Sequence, residues 1–112
     1  MTESEFLAAA EATLNAIEAA FDRLNAQDMT DVECSRSGNV LEIEFVDNGS
    51  KVIVNSQAPM QELWVAARSG GFHYRCVDGK WCNTRDGSEL FAALSEITTA
   101  QGGAPVVVSE RT

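Results

Sequence analysis

Between residues 31 and 83 the sequence alternates apolar and polar residues in short segments, and small or polar residues separate these segments. Alternation with period two sends successive side chains to opposite faces and is typical of half-buried strands. The pattern predicts strands at residues 31–35, 41–45, 51–55, 63–65, 72–76 and 80–82. The pairs Asn48-Gly49 and Asp78-Gly79 indicate tight hairpins. We therefore expect an antiparallel sheet of about six strands in series.

A helical pattern flanks the predicted strands on each side. From Ser4 to about Leu24 the apolar residues recur at spacings of three and four, namely Phe6, Ala10, Leu14, Ile17, Phe21 and Leu24. After the last strand, Asp86 and Glu89 resemble a capping box, and a second apolar stripe follows at Leu90, Phe91, Leu94 and Ile97. We predict an α+β fold with both helices on one face of a roughly six-stranded antiparallel sheet, and residues 1–112 as a single domain.

The charge of the chain is concentrated in its first part. Residues 1–47 hold 11 Asp or Glu against two Arg, and residues 48–112 hold six acids against six bases, so the net charge of −9 belongs to the first segment. A negative field of this kind repels phosphate backbones and anionic lipids. We therefore expect no binding to nucleic acid or membranes, and instead binding to cations or basic protein surfaces.

The acidic residues form rows on the predicted elements. Glu11, Glu18 and Asp22 fall on one side of the first helix, about a quarter turn from its apolar stripe. Residues two apart on a strand share a face, which groups the remaining candidates. The candidate metal ligands are therefore Glu11, Glu18, Asp22, Asp31, Glu33, Glu42 and Glu44. Carboxylates without convergent His or Cys favour hard cations, bound weakly and with retained water. A solvated face that only maintains solubility is equally compatible with this pattern.

Trp64 is the main candidate for a protein contact. If Leu63 and Val65 point into the core, strand alternation places Trp64 on the solvated face of the sheet. Exposed Trp is enriched at interaction hot spots, although partial burial under a loop explains it as well. His73, the only histidine, shares its side with Arg75 and is either a weak ligand, a partner contact or an ordinary surface residue.

Several function classes lack support in the sequence. Glycine-rich phosphate loops, an HExxH motif and a nucleophilic triad with local support are missing, so we do not expect a conventional enzyme. The acidic N-terminus and the lack of a long apolar run predict a cytoplasmic protein. Three cysteines, Cys34, Cys76 and Cys82, are then expected to be reduced and mostly buried.

The segment Val54-Asn55-Ser56-Gln57-Ala58-Pro59, followed by Glu62-Leu63-Trp64-Val65-Ala66, is similar to the signature of the frataxin family. Gly70-Gly71-Phe72-His73-Tyr74 and the strand of Trp81 continue the similarity. The opening Ser4-Glu5-Phe6 and the helix through Glu18 and Asp22 resemble the short bacterial members. The resemblance covers nearly the whole chain and implies a frataxin-like α-β sandwich.

The resemblance also implies a function. Frataxins bind ferrous or ferric iron weakly along an acidic ridge and contact the cysteine desulfurase and the scaffold protein of iron–sulfur cluster assembly. Carried over to this chain, the ridge comprises Glu18, Asp22, Asp31 and Glu33, and the partner-binding residues are Glu18, Asp22, Asn55, Trp64 and His73. A monomer is expected, with iron-driven oligomers allowed. Weak iron oxidation is not expected to be its main role.

This chain departs from the family pattern at Leu7, Ala19 and Arg23, where relatives often have a histidine or an acid, so its ridge is thinner. Glu42 and Glu44 are a hypothetical compensation. Two interpretations therefore stay open: an iron-binding protein that modulates the desulfurase, and an acidic regulator that binds the desulfurase independently of metal.

Overall fold

The computed structural model describes residues 1–110 and begins with the helix α1 (Glu3–Ala26). A reciprocal capping box starts it: Thr2 Oγ1 accepts from the Glu5 amide at 3.1 Å, and Glu5 Oε1 accepts from the Thr2 amide at 2.7 Å. Every apolar residue of the predicted stripe, from Phe6 to Leu24, is buried. The helix prediction is confirmed, and its buried stripe packs on the sheet.

Six antiparallel strands follow in an uninterrupted meander, so each strand pairs with its neighbours in sequence. The strands are β1 (Val32–Ser37), β2 (Val40–Phe45), β3 (Lys51–Gln57), β4 (Glu62–Ala67), β5 (Gly70–Val77) and β6 (Lys80–Asn83). Asp78 and Gly79 both have positive φ, +51° and +81°, as the tight turn between β5 and β6 requires. The predicted sheet is confirmed, with strand ends shifted by at most two residues.

The second helix, α2 (Leu90–Gly102), begins differently from the prediction. Glu89 is itself the N-cap, and its carboxylate accepts from the amides of Phe91 and Ala92. Asp86 instead accepts from the amide and hydroxyl of Ser88, within the preceding loop. The expected Asp86–Glu89 capping box is therefore wrong, because the chain turns once more before the helix starts.

Both helices cover one face of the sheet and leave the other face open to solvent. Inward side chains such as Leu41, Val54, Leu63 and Tyr74 are almost completely buried. Trp81 joins the layers: its Nε1 donates to Thr13 Oγ1 of α1 at 2.8 Å. The open face carries the alternate residues of every strand, and these include most of the candidate site residues.

Candidate functional site

We call the seven predicted ligands, Glu11, Glu18, Asp22, Asp31, Glu33, Glu42 and Glu44, the acidic edge, because they belong to α1 and the two strands at one end of the sheet. The α1 helix lies beside β1, the edge strand. Glu11, Glu18 and Asp22 are on α1, on the inner side of β1, whereas Glu33, Glu42 and Glu44 belong to the open face. Asp31 directly precedes β1.

A positively charged residue of the protein, Arg36, pairs with two of the carboxylates on α1. Arg36, on the inner side of β1, contacts Glu11 Oε2 through Nη2 at 2.6 Å and Glu18 Oε1 through Nη1 at 3.0 Å. Its Nη1 also donates to Asn15 Oδ1 at 3.0 Å, and its Nε donates to the Gly38 carbonyl at 2.7 Å. Four oxygens thus surround one guanidinium. Arg36 offsets much of the charge that Glu11 and Glu18 present.

Cys34 lies on the same side of β1, close to the acidic side chains of α1. Burial raises the pKa of its thiol to about 11, and the negative charges of Asp22 and Glu18 add to the shift. The thiol is therefore protonated at neutral pH.

On the open face, two carboxylates face each other across the first hairpin. Glu33 of β1 is directly opposite Glu44 of β2, and Lys51 of β3 is directly opposite Glu44 on its other side. The Lys51 ammonium nevertheless contacts Glu42 Oε2, at 3.5 Å. Within residues 1–110, Glu33 and Glu44 have no ion pair. Side chains in this relation have Cβ atoms about 5 Å apart, close enough to share one cation.

The described residues contain no group of three or more His, Cys, Asp or Glu side chains placed to hold a metal ion. The carboxylates are distributed as pairs around β1 rather than closed into one cage. Sites of this kind bind hard cations with few protein ligands, and water completes the coordination sphere.

The middle of the open face holds a second cluster, centred on Trp64. The indole stacks on the His73 imidazole, with ring centroids 4.4 Å apart and planes inclined by 7°. His73 is directly opposite Trp64 in the β4–β5 pairing, and Asn55 is directly opposite it on β3. Asn55 Oδ1 accepts from Gln57 Nε2 at 2.5 Å. The three predicted partner-binding residues thus form one row across three strands.

The carboxylate of Glu62 contacts the Trp64 and His73 side chains of this row. Only 4% of its surface is exposed, and its carboxylate accepts from Trp64 Nε1 at 2.8 Å and from Arg75 Nε at 3.0 Å. His73 Nδ1 lies 3.3 Å from the same carboxylate. The hydrogen bond from Trp64, followed by that from Arg75, holds the pKa of Glu62 below its usual range. Glu62 is therefore a buried anion that contacts the half-buried Trp64 and the exposed His73 and Arg75.

Sequence reasoning did not identify Glu62 or Arg36 as parts of a site. Each was within reach of the alternation rule, because Glu62 shares the face of Trp64 and Arg36 shares the inner side of Val32. The alternation rule predicts which face of the sheet a side chain is on, but not which residue that side chain contacts. The contacts of Arg36 span 18 and 25 residues of sequence, so only the tertiary structure reveals them.

No helix within residues 1–110 is both long and apolar enough to cross a membrane.

Comparison with known proteins gives a consistent family match. Residues 1–104 match the family model described as a frataxin-like domain. The chain is 68% identical over 110 residues to an iron–sulfur cluster assembly protein CyaY from Janthinobacterium sp. (strain Marseille), with 98% of each chain covered. It is 64% identical to the protein of the same name from Herminiimonas arsenicoxydans, again with 98% of each chain covered.

The fold is also that of solved frataxins. The structure of frataxin from Psychromonas ingrahamii has a TM-score of 0.87 and 31% identity, and the match covers 97% of this chain and 99% of that one. Trimeric frataxin from Saccharomyces cerevisiae, complexed with ferrous, has a TM-score of 0.73 at 22% identity, covering 85% of this chain and 86% of that one. The yeast protein shares the fold with this chain.

Proposed function

Because the chain belongs to the frataxin family, we propose that it is a cytoplasmic, iron-binding accessory protein of iron–sulfur cluster assembly rather than an enzyme. Relatives at 68% and 64% identity are named iron–sulfur cluster assembly proteins, which supports a role in this process. The iron is cargo, ferrous or ferric, and the acidic edge binds it weakly and reversibly.

The facing pair Glu33 and Glu44 is the observation that carries the iron assignment. Two like charges directly opposite each other on neighbouring strands are unfavourable without a counterion. No ion pair within residues 1–110 relieves them. A hard divalent cation between the two carboxylates removes this repulsion and keeps most of its water. Asp22 and Asp31, which have no ion pair among the described residues either, extend the binding surface.

The proposed partners are the cysteine desulfurase and the scaffold protein of cluster assembly. The acidic edge, through Glu18 and Asp22, suits a basic surface by charge complementarity. The row of Asn55, Trp64 and His73 supplies a rigid aromatic contact on the adjoining open face. Through these contacts the protein modulates the desulfurase and scaffold complex.

A second candidate function is a metal-independent acidic regulator of the desulfurase. The contacts of Arg36 favour this alternative, because the guanidinium forms ion pairs with Glu11 and Glu18, two of the seven proposed ligands. Under this alternative, the acidic edge docks on a basic surface with or without iron. Such docking weakens steeply as salt concentration rises.

Calorimetric titration with Fe²⁺ under anaerobic conditions, repeated with purified desulfurase, tests both candidates. The variants are Glu33→Gln with Glu44→Gln, and Glu18→Gln with Asp22→Asn. Glu96→Gln with Glu110→Gln is the matched control, since it removes two exposed charges outside the acidic edge. We expect each acidic-edge variant to weaken Fe²⁺ binding by about tenfold, and the control by less than about twofold.

The outcomes separate the two candidates. Iron affinity that is equal in all variants contradicts iron binding at the acidic edge. Desulfurase affinity that is unchanged by iron but lost in the Glu18 and Asp22 variant supports the metal-independent regulator instead.

A further inference from the structure

The strand β1 is at the edge of the sheet, so one side of its backbone has no neighbouring strand among residues 1–110. Hydrogen-bonded and non-hydrogen-bonded pairs alternate along an antiparallel ladder. The Val46 amide donates to the Asp31 carbonyl at 3.1 Å, so the pair next to Val32 and Phe45 is a hydrogen-bonded one. Every second residue from Val32 onward therefore directs its N–H and C=O away from β2. These outward residues are Val32, Cys34 and Arg36.

A side chain of α1 occupies the first of these three positions. Asn25 Oδ1 accepts from the N–H of Val32 at 3.0 Å, and Asn25 Nδ2 donates to the Val32 carbonyl at 2.8 Å. The side-chain amide thus makes the two hydrogen bonds that a residue of a seventh strand would make. This contact agrees with the direction that the ladder assigns to the outward groups, and it shows that a donor and an acceptor can reach this edge together.

The next two outward positions are open. Within residues 1–110, the N–H and C=O groups of Cys34 and Arg36 have no hydrogen bond from another element. Their side chains turn to the inner side of β1, whereas Glu33 and Ser35, on the other face, are exposed. Two donors and two acceptors therefore stand in one row, with about 7 Å between the two residues. An extended chain offers the matching groups at the same spacing.

The charge around this edge selects a basic segment. Residues 1–47, which include α1, β1 and β2, contain 11 acids and two arginines. Both arginines have partners, because Arg36 pairs with two carboxylates of α1 and Arg23 donates to a backbone carbonyl near the C-terminus. Asp22 and Glu33, on the two sides of β1, form no ion pair within residues 1–110. Lys or Arg side chains on the incoming segment therefore have charge complementarity here.

We propose that β1 binds an extended, Lys- or Arg-bearing segment of a partner protein as a seventh strand, through the backbone of Cys34 and Arg36. Main-chain hydrogen bonds supply affinity in strand addition, and the flanking charges supply selectivity. The proposal deepens the proposed function, since it names an extended segment as the partner of the acidic edge. It rests on that function only for the negative charge, because backbone pairing requires no metal ion.

Other occupants of the edge fit less well. A second copy of the chain that pairs through its own β1 brings its own acidic residues against those of the first copy, and like charges on neighbouring strands are unfavourable. An acidic segment meets the same repulsion. A basic segment alone satisfies both the backbone groups and the charge.

The experiment uses the ¹⁵N-labelled full chain and a short peptide of alternating Lys and Val. The first control is the same peptide methylated on every backbone nitrogen, which keeps the charge but cannot donate hydrogen bonds. The second control is a peptide of alternating Glu and Val. Fluorescence anisotropy gives the affinities, and amide hydrogen exchange shows which backbone groups pair.

The test variant is Cys34→Pro, with Cys34→Ala as the matched control for loss of the thiol. Proline removes an outward N–H and places its ring at the edge, and it removes no ladder hydrogen bond at this position. All seven carboxylates of the acidic edge remain, so Fe²⁺ titration of Cys34→Pro tests the proposed function separately. Since proline can strain the strand, the exchange pattern of the unmodified protein provides a test that needs no variant.

In the free protein we expect the amides of Cys34 and Arg36 to exchange faster than those of Glu33 and Ser35, which pair with β2. The Lys and Val peptide should slow exchange of the two outward amides by about tenfold or more. Methylation of the peptide, or Cys34→Pro, should weaken binding by about tenfold, and Cys34→Ala by less than about twofold.

Four results overturn the proposal. The first is binding of the peptide without added protection at Cys34 and Arg36. The second is equal binding of the methylated or the Glu and Val peptide, and the third is equal weakening in Cys34→Pro and Cys34→Ala. The fourth is self-association of the free protein that Cys34→Pro abolishes, because it makes a second copy the occupant of the edge.

Discussion

Arg36 and Glu11 form a short ion pair, 2.6 Å between Nη2 and Oε2, that connects the edge strand β1 to the helix α1. The same guanidinium contacts Glu18 at 3.0 Å. One cation from the sheet thereby balances part of the charge of the helix carboxylates. The acidic edge consequently has an inner part where Arg36 pairs with two carboxylates and an outer part, at Glu33 and Glu44, that forms no ion pair among the described residues.

Replacing Arg36 with Gln should strengthen metal binding on α1. The change removes the internal competitor and frees Glu11 and Glu18 to act with Asp22. Exposed ion pairs contribute up to about 1 kcal/mol, so we expect Mn²⁺ or Fe²⁺ affinity to rise by up to about fivefold. Titration calorimetry measures it, with Arg68→Gln as the control for net charge. Unchanged affinity in Arg36→Gln argues against competition between Arg36 and metal.

Glu44→Gln should stabilise the metal-free protein. The change removes like-charge repulsion with Glu33 and breaks no ion pair, because the ammonium of Lys51, opposite Glu44 on β3, contacts Glu42 instead. We expect the free energy of unfolding to rise by a few tenths of a kcal/mol at low salt. Urea denaturation measures this difference, which should disappear when salt or a divalent cation screens the wild-type pair. Glu96→Gln, an exposed change on α2, serves as the control. A destabilised Glu44→Gln protein would show that the repulsion is not the dominant interaction.

Local sequence patterns predict the secondary structure of this chain, but they do not predict contacts between residues that are distant in sequence. Asp78-Gly79 specifies its tight turn locally, Asn48-Gly49 lies in the five-residue loop between β2 and β3, and the stripe from Phe6 to Leu24 specifies α1, so the elements and the meander are predictable. The pairing of Arg36 with Glu11 and Glu18 depends on how α1 sits beside β1. Alternation places Glu62 on the open face, yet Trp64 and Arg75 hydrogen-bond to it there and it is buried. Burial by neighbouring side chains leaves no periodic signal.

Glu62→Ala should destabilise the protein and loosen the Trp64 row. It removes the acceptor of Trp64 Nε1 and the counter-charge of Arg75, and hydrogen bonds to charged groups contribute about 1.5–3 kcal/mol each. Trp64 and Arg75 are partly exposed and can bind water instead, so we expect a loss of about 1–2 kcal/mol in all. Urea denaturation measures this, and Trp64 fluorescence in a Trp81→Phe background reports the freed indole. Unaltered stability and fluorescence would exclude Glu62 as the residue that positions the row.

Stability at acidic pH should depend on Glu62. Because the folded protein lowers the pKa of this carboxyl from 4.5, the stabilisation it provides is complete above the unfolded pKa and is lost as pH falls through the lowered value in the folded state. Unfolding free energies measured between neutral pH and about pH 3 should therefore fall less steeply below about pH 4.5 in Glu62→Gln than in wild type. Gln keeps an acceptor for Trp64 Nε1 but cannot titrate, so it separates charge from hydrogen bonding. Parallel pH profiles for the two proteins would assign the acid sensitivity to other carboxylates, such as Glu5 and Asp86, whose pKa values are also lowered by hydrogen bonds.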